Sequence, residues 1–168
     1  LKANQYQYTY HFTWWGLPII QYPQDMVAMQ EIIFQVQPDL IVETGIARGG
    51  SLVFYASLLK LLGGKRKIVG IDIDIREHNK EALLKHPLVN DMILIEGSSV
   101  DKEIVNEVNN IASKYKNILV ALDSNHTHEH VLAELHAYAS LVKPGGYLVV
   151  FDTQIANTPK SHFEDRPW

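Results

Sequence analysis

Five short, almost continuously apolar segments alternate with helix-like segments, and this alternation restricts the fold more than any other feature of the sequence. The five segments are rich in β-branched residues and lie at 40–42, 67–71, 92–95, 117–122 and 147–151. Strands that are apolar along their whole length are typical of parallel sheets covered on both faces. The pattern therefore predicts an α/β fold with a Rossmann-like, doubly wound parallel sheet of strand order 3-2-1-4-5.

The segments between the predicted strands carry helical spacing of apolar residues and helix-stop signals. They predict helices over 24–36, 51–62, 74–86, 99–112 and 127–142. Asp74 and Glu77 have the spacing of a capping box for the third of these helices, which ends at His86 and Pro87.

The first 23 residues are predicted to form an arm ahead of a ligand-binding domain over 24–168. Five aromatic residues of this arm fall on every second position: Tyr6, Tyr8, Tyr10, Phe12 and Trp14. That period puts all five rings on one face of an extended segment. Because large aromatic side chains are mostly buried, packing on the domain core or a second subunit is favoured. The alternative is an aromatic wall for a substrate such as a sugar.

Composition excludes several classes of protein. The net charge of -4 gives no general attraction to nucleic acid or to an anionic membrane. The absence of cysteine excludes disulfides, thiolate metal sites and a cysteine nucleophile. No apolar run approaches the roughly 20 residues that cross a bilayer, and the first residues do not resemble a signal peptide. A cytoplasmic protein without nucleic-acid or membrane partners is expected.

Every predicted strand ends on or beside an acidic residue. These residues are Glu43, Asp72, Glu96, Asp123 and Asp152. Ligands of open α/β sheets bind beyond the carboxyl ends of the strands, near the point where the strand order reverses. A single acid there is ordinary, because strand ends are wet, but five along one edge favour a binding site.

The first strand leads into a glycine-rich loop that runs from Gly45 to Ser51 and then into a helix. Glycines let the backbone approach a ligand, and the helix N-terminus offers free N–H groups to an anion. The G-x-x-x-G-G spacing differs from the G-x-G-x-x-G of dinucleotide-binding proteins. Glu43 is out of place beside a pyrophosphate but suits a cationic ligand. S-adenosylmethionine (SAM) has a sulfonium, an ammonium and a carboxylate group, and Ser51 is expected to bind the carboxylate.

The second and third strands add contacts for a nucleoside. Asp72 is expected to accept hydrogen bonds from both ribose hydroxyls, whereas Asp74 is the weaker candidate because it caps a helix. Gly97 and Ser98 are expected to line the adenine. Capping of the next helix by Ser98 or by Ser99 is a compatible alternative.

The fourth and fifth strands place Asp123 and Asp152 about one inter-strand spacing apart, ~5 Å. Two such acids must share a proton or hold a cation, and oxygen ligands point to Mg²⁺. The metal would lower the pKa of a substrate hydroxyl, so Asp123 is also a candidate catalytic residue. In the alternative, Asp123 caps the following helix and Asp152 is solvated.

Three histidines alternate at His126, His128 and His130, at the start of a predicted helix. Residues two apart on a helix point in different directions and cannot chelate one ion together. His126 is therefore predicted to face the cofactor as a catalytic residue, with the other two on the surface. Arg48 contacts substrate or is a plain surface arginine.

These motifs together resemble the class I SAM-dependent methyltransferases, and Lys143-Pro144-Gly145-Gly146 before the fifth strand adds to the likeness. More narrowly, the segments 20–25, 43–51, 70–74 and 122–126 are similar to the cephalosporin hydroxylase/rhamnosyl O-methyltransferase family. The resemblance implies SAM on Gly45, Ser51 and Asp72 and a metal on Asp123 and Asp152. It also implies O-methylation of a sugar or another small-molecule hydroxyl.

Two departures from that pattern matter. Phe151 and Thr153 flank Asp152, where metal-dependent relatives tend to present two polar ligands in succession, so water would complete the metal shell. The superfamily also has an antiparallel pair of strands beside strand five, which this chain lacks. A fragment is therefore expected, or a homo-oligomer that pairs through this edge or through the N-terminal arm. An NAD-dependent oxidoreductase and an inactive domain that binds SAM or a protein partner are the alternative functions.

Overall fold

A computed structural model describes residues 7–154, which form seven strands and five α-helices. The strands are β1 Phe12–Trp14, β2 Leu17–Ile19, β3 Leu40–Thr44, β4 Lys67–Asp72, β5 Met92–Glu96, β6 Ile118–Leu122 and β7 Leu148–Val150. The helices are α1 Pro23–Val36, α2 Gly50–Leu62, α3 Glu77–Leu84, α4 Lys102–Ala112 and α5 His128–Tyr138.

Five parallel strands form the central sheet in the order β5-β4-β3-β6-β7. Counted within this sheet alone, the order is 3-2-1-4-5, so the predicted α/β doubly wound fold is confirmed. The central strand β3 is buried at every position, and its Val42 lies between Val69 of β4 and Val120 of β6. The reversal of strand order between β4 and β6 places the crevice for a ligand at the carboxyl end of β3.

Alternate residues of β3 face two separate apolar layers. Ile41 packs with α1, α2 and the β1–β2 hairpin, whereas Val42 packs with α4 and α5. Because the sheet is covered on both faces, its strands are continuously apolar, which is the pattern read from the sequence. Glu43 and Thr44 are the polar residues of the buried strand β3, and Glu43 shares the face of Ile41.

The N-terminal segment is only partly extended. Residues Tyr8–His11 form a 3₁₀ turn, and β1 and β2 then pair as an antiparallel hairpin. The prediction of one continuous extended aromatic face is therefore wrong at Tyr8 and Tyr10, because a 3₁₀ turn does not keep a two-residue period. Tyr6 lies outside the described residues.

The aromatic residues of β1 pack on the domain. Phe12 and Trp14 contact the core, and the Trp14 ring meets the Phe54 ring edge-on, with centroids 4.9 Å apart. The Trp14 indole N–H also donates a hydrogen bond to the Ser57 hydroxyl at 3.0 Å. Packing is thus the role of these two rings.

Two predicted helix caps are wrong. Helix α3 begins at Glu77 with no side-chain cap, and the backbone N–H of Asp74 donates instead to the Asp72 carboxylate at 3.2 Å. The chain turns to bury Ile75 before the helix starts, which delays the start beyond Asp74. Likewise, α4 begins at Lys102, so neither Ser98 nor Ser99 caps it.

No helix within residues 7–154 has the length and apolar character needed to cross a bilayer.

Candidate functional site

A cleft opens between the N-terminal hairpin and the carboxyl ends of β3, β6 and β7. Five predicted site residues line it: Gly45, Ser51, Asp123, His126 and Asp152. The hairpin side contributes Tyr10, Pro18, Ile20 and Gln21. The segment predicted as a packing arm therefore also forms one wall of the cleft. The structure places Asp72, Gly97 and Ser98 outside this lining, at the ends of the two strands beyond β3.

The glycines of the loop after β3 are required by the protein's own packing. Gly45 has φ +91°, and a Cβ there would lie 2.1 Å from the Asp123 carbonyl oxygen. A Cβ on Gly50 would lie 2.3 Å from the carbonyl oxygen of Pro18 in the hairpin. The sequence pattern suggested close approach of backbone to a ligand, and the structure shows close approach of backbone to backbone. The loop is thereby pressed between β6 and the hairpin.

Asp72 holds the glycine loop in place. One oxygen of its carboxylate accepts hydrogen bonds from the backbone N–H groups of Ile46 at 2.8 Å and Ala47 at 3.0 Å. From α3, the Asn79 side-chain amide donates to the Ala47 carbonyl at 2.9 Å. These bonds fix Ala47 at φ +47°, a conformation that is rare for a residue with a Cβ. Sequence reasoning missed this brace because it depends on the fold of the loop.

Glu43 is a fully buried carboxyl group below the cleft. Its side chain has no exposed surface, and within residues 7–154 no hydrogen bond of ordinary geometry reaches either carboxyl oxygen, although the nearby Ser51 hydroxyl lowers the pKa of Glu43. Burial raises the pKa of Glu43 well above its ordinary value, and the negative charge of Asp123 raises it further. A nearby positive charge or hydrogen-bond donors such as the Ser51 hydroxyl favour the charged form of a buried acid of this kind. The cationic ligand that Glu43 suggested in the sequence stays a prediction.

We expect Glu43→Gln to raise the stability of the ligand-free protein at pH 8. The unfolded carboxyl has a pKa of about 4.3, and the folded pKa is higher. Below about pH 4 the Glu43 carboxyl is protonated in both the folded and the unfolded state, so no buried charge reduces the stability of the folded protein. As the pH rises from there through the folded pKa, the unfolded state loses its proton first and wild-type stability falls. Thermal unfolding should therefore show a larger advantage of the variant at pH 8 than at pH 4.

Glu107→Gln is the matched control for that comparison, since Glu107 is exposed on α4. This variant should follow the wild type across the pH range. A Glu43→Gln variant that does the same would show that the buried carboxyl carries no electrostatic cost.

Asp123, His126 and Asp152 form a three-donor cluster at the ends of β6 and β7. Each residue offers one ligand atom, and these atoms all lie within 4.8 Å of one another. His126 Nε2 is 3.5 Å from a carboxylate oxygen of Asp152. Burial and then the charge of Asp152 raise the pKa of Asp123, whereas burial lowers the pKa of His126. Two carboxylates and a neutral imidazole are a donor set that fits a divalent cation.

The sequence predicted the two acids of this cluster but gave His126 only a catalytic role. The short distance in sequence between Asp123 and His126 could have indicated this third donor. A segment of four residues can bring the His126 side chain back to the end of β6. The alternative in which Asp123 caps a helix is wrong, since α5 begins at His128, directly after Thr127. Asp152 adopts φ +53°, which turns the backbone sharply after Phe151.

The other two histidines have different surroundings. His128 is exposed, as predicted. His130 is not a plain surface residue, because its Nε2 lies 3.1 Å from the Ser99 hydroxyl and 3.4 Å from the Glu134 carboxylate. The prediction failed there because the loop after β5 folds over the first turns of α5. Arg48 is exposed and lines the cleft.

The sequence is similar to those of known proteins. The family profile described as rhamnosyl O-methyltransferase/CmcI matches residues 6–168. A rhamnosyl O-methyltransferase of Mycobacterium tuberculosis (strain ATCC 25618 / H37Rv) is 32% identical over 148 residues, which are 88% of this chain and 59% of that protein. The Mycobacterium leprae (strain TN) protein of the same name is 31% identical, over 88% of this chain and 62% of its own length.

Solved structures share the fold. A CmcI structure described with Mg and SAM superposes with a TM-score of 0.65 at 21% identity, over 92% of this chain and 64% of that one. MycE, a methyltransferase from the mycinamycin biosynthetic pathway in complex with Mg and SAH, gives 0.60 at 21% identity, over 99% of this chain and 40% of that one.

The strand order and the glycine loop at the switch point define a Rossmann-like domain with the fold of these structures. The profile match over nearly the whole chain identifies it further, and the chain belongs to the rhamnosyl O-methyltransferase/CmcI family. It spans 59% of the length of the M. tuberculosis relative.

Proposed function

We propose that this chain carries the cofactor-binding and metal-binding part of a SAM-dependent O-methyltransferase that acts on a hydroxyl of a sugar or another small molecule. The observation that carries the proposal is the cluster of Asp123, His126 and Asp152 in the same cleft as the glycine loop. The curated relatives are named rhamnosyl O-methyltransferases, which supports a sugar hydroxyl as the acceptor.

The proposed SAM site follows the ends of β3, β4 and β5. Asp72 would accept from the ribose hydroxyls through Oδ1, the carboxylate oxygen that the glycine loop leaves open and that otherwise accepts, among residues 7–154, only from the Asp74 N–H. Ser51 and the backbone of Gly45 would face the carboxylate end of the amino acid moiety. Gly97 and Ser98 would line the adenine. Glu43 ends the strand that leads into the loop, and a positively charged group bound beside it would stabilise its carboxylate form, which burial disfavours.

The proposed metal site is the three-donor cluster, and its donor set favours Mg²⁺ or a similar ion with open positions for substrate and water. When bound, such an ion lowers the pKa of a ligated hydroxyl and fixes its direction. Asp123 and Asp152 would hold the ion at the mouth of the cleft. His126, which is neutral at pH 7 because burial lowers its pKa, would contact the ion or take the proton of the acceptor.

Several further assignments remain proposals of the same kind. The division into an arm over 1–23 and a SAM-binding domain over 24–168 is retained, with the arm supplying the Tyr10 wall of the cleft. The proposal also includes a small-molecule substrate, a cytoplasmic location and no nucleic-acid partner. Self-association is proposed through the arm or through the β7 edge.

The ribose assignment predicts that Asp72→Ala weakens SAM binding at least about tenfold, because a charged acceptor contributes about 1.5–3 kcal/mol per hydrogen bond. Isothermal titration of SAM and S-adenosylhomocysteine (SAH) against wild type and variant measures the effect. Asp74→Ala is the matched control, since Asp74 is an exposed acid two residues further on. Unchanged SAM affinity in Asp72→Ala would overturn the ribose assignment. If the wild-type protein binds NADH and not SAM, the proposed function is wrong.

A further inference from the structure

Glu134 is a buried carboxylate on α5 that contacts two separate loops. Its side chain is 1% exposed. One oxygen, Oε1, accepts hydrogen bonds from the Ser99 hydroxyl at 2.5 Å and from the Ser124 hydroxyl at 2.7 Å. Hydroxyl groups that donate to a carboxylate form short bonds of this length, and such bonds are stronger than those between neutral groups. A single atom of α5 therefore holds both serines.

The two serines belong to the loops that follow β5 and β6. Ser99 is next to Ser98, on the side where the nucleoside is proposed to bind. Ser124 is next to Asp123 and itself lines the cleft. One helical turn beyond Glu134, the Tyr138 hydroxyl donates to the Ser99 carbonyl at 2.5 Å. Helix α5 thus holds Ser99 at two points, the Ser99 hydroxyl through Glu134 and the Ser99 carbonyl through Tyr138.

A catalytic triad of Ser99, His130 and Glu134 does not fit this geometry. In a nucleophile triad, one imidazole nitrogen faces the serine and the other faces the acid. Here the same nitrogen, Nε2 of His130, lies 3.1 Å from Ser99 and 3.4 Å from Glu134. Ser99 is also only 5% exposed, and its hydroxyl donates a hydrogen bond directly to the Glu134 carboxylate. The cluster therefore holds loops in place and does not attack a substrate.

We propose that Glu134 is a positioning residue that ties loop 97–101, on the nucleoside side, to loop 123–127, on the metal side. This inference rests on the proposed function, which assigns the nucleoside to one side of the site and the metal to the other. Each loop contacts Glu134 through one serine, and both serine hydroxyls donate to the same carboxylate oxygen. A ligand that orders one loop therefore lowers the cost of ordering the other, so the two ligands bind cooperatively.

Four variants test the proposal. Glu134→Ala removes both bonds, Ser99→Ala removes only the bond to loop 97–101, and Ser124→Ala removes only the bond to loop 123–127. Glu134→Gln keeps an oxygen that can accept both hydroxyl bonds and serves as the conservative rescue. The two serine variants keep the proposal testable if Glu134→Ala does not fold.

Hydrogen–deuterium exchange of the ligand-free proteins is the first measurement, because it needs no assumption about ligands. In Glu134→Ala, amides of both loops should exchange at least about tenfold faster, the loss expected from one hydrogen bond of about 1.4 kcal/mol. Each serine variant should speed exchange in its own loop only, and Glu134→Gln should stay close to the wild type. Equal exchange in wild type and Glu134→Ala would overturn the proposal.

Binding of SAH and Mn²⁺ is the second measurement. In the wild type, binding of either ligand should lower the dissociation constant of the other by about fivefold or more. Glu134→Ala should reduce this factor to near one, Ser124→Ala should weaken Mn²⁺ more than SAH, and Ser99→Ala should do the opposite. A coupling factor that is unchanged in Glu134→Ala would contradict the proposal. A wild type that binds neither ligand would instead contradict the proposed function, while the exchange data would still decide the role of Glu134.

Discussion

Gly45→Ala is expected to lower the free energy of unfolding by about 3–5 kcal/mol, in the range of the most damaging single substitutions. Two penalties add at this position. The residue has φ +91°, which L side chains rarely adopt, and a Cβ would lie 2.1 Å from the Asp123 carbonyl oxygen. That oxygen belongs to backbone at the end of the buried strand β6, so it cannot rotate away as a side chain would. Urea unfolding followed by circular dichroism measures the loss.

Gly145→Ala is the matched control, because it separates the two penalties. Gly145 has φ +89°, close to that of Gly45, but no atom lies within 4 Å of the Cβ position. Its substitution should cost only the backbone strain, about 1–2 kcal/mol. The difference between the two variants therefore measures the contact between the glycine loop and β6. Equal losses would show that the loop relaxes away from Asp123 and that the close approach does not constrain the site.

The central sheet could be predicted from the sequence because each of its strands is buried on both faces. A continuous apolar run such as the one at 118–122 has few other stable solutions in a chain of alternating elements. The N-terminal segment could not be predicted in the same way. Its two-residue aromatic period is real, but the 3₁₀ turn at Tyr8–His11 rotates Tyr10 into the cleft while Phe12 and Trp14 pack on the core. Local pattern alone does not record that change of direction.

The site was predictable where position along a strand determines position in space. Asp123 and Asp152 follow neighbouring parallel strands, so their closeness follows from strand order alone. His126 as a third donor and Asn79 as a brace of Ala47 depend on how loops and α3 return to the sheet edge. His130 and Glu134 meet Ser99 and Ser124 for the same reason, through contacts between residues up to 35 positions apart. Such tertiary contacts leave no periodic signal in one sequence.

Asp123→Asn is expected to lower the affinity for Mn²⁺ by more than about 100-fold, because loss of a partner that only orients a metal ligand already costs 10–100-fold. The variant should also be more stable than the wild type without metal at pH 8. Burial and the charge of Asp152 both raise the pKa of Asp123, so the folded state gives up its proton less readily than the unfolded state. Wild-type stability therefore falls as the pH rises above the unfolded pKa, and the neutral amide avoids that loss.

These two effects have opposite signs, which makes the test specific to a metal site. Saturating Mn²⁺ should raise the melting temperature of the wild type, since a ligand that binds only the folded state stabilises it. The same addition should leave Asp123→Asn unchanged. Glu129→Gln is the control, because it removes an exposed carboxylate near the start of α5 and changes the net charge equally. It should respond to Mn²⁺ as the wild type does. If Asp123→Asn is stabilised by Mn²⁺ as strongly as this control, the ion binds elsewhere and the three-donor cluster is an ordinary group of polar residues at the strand ends.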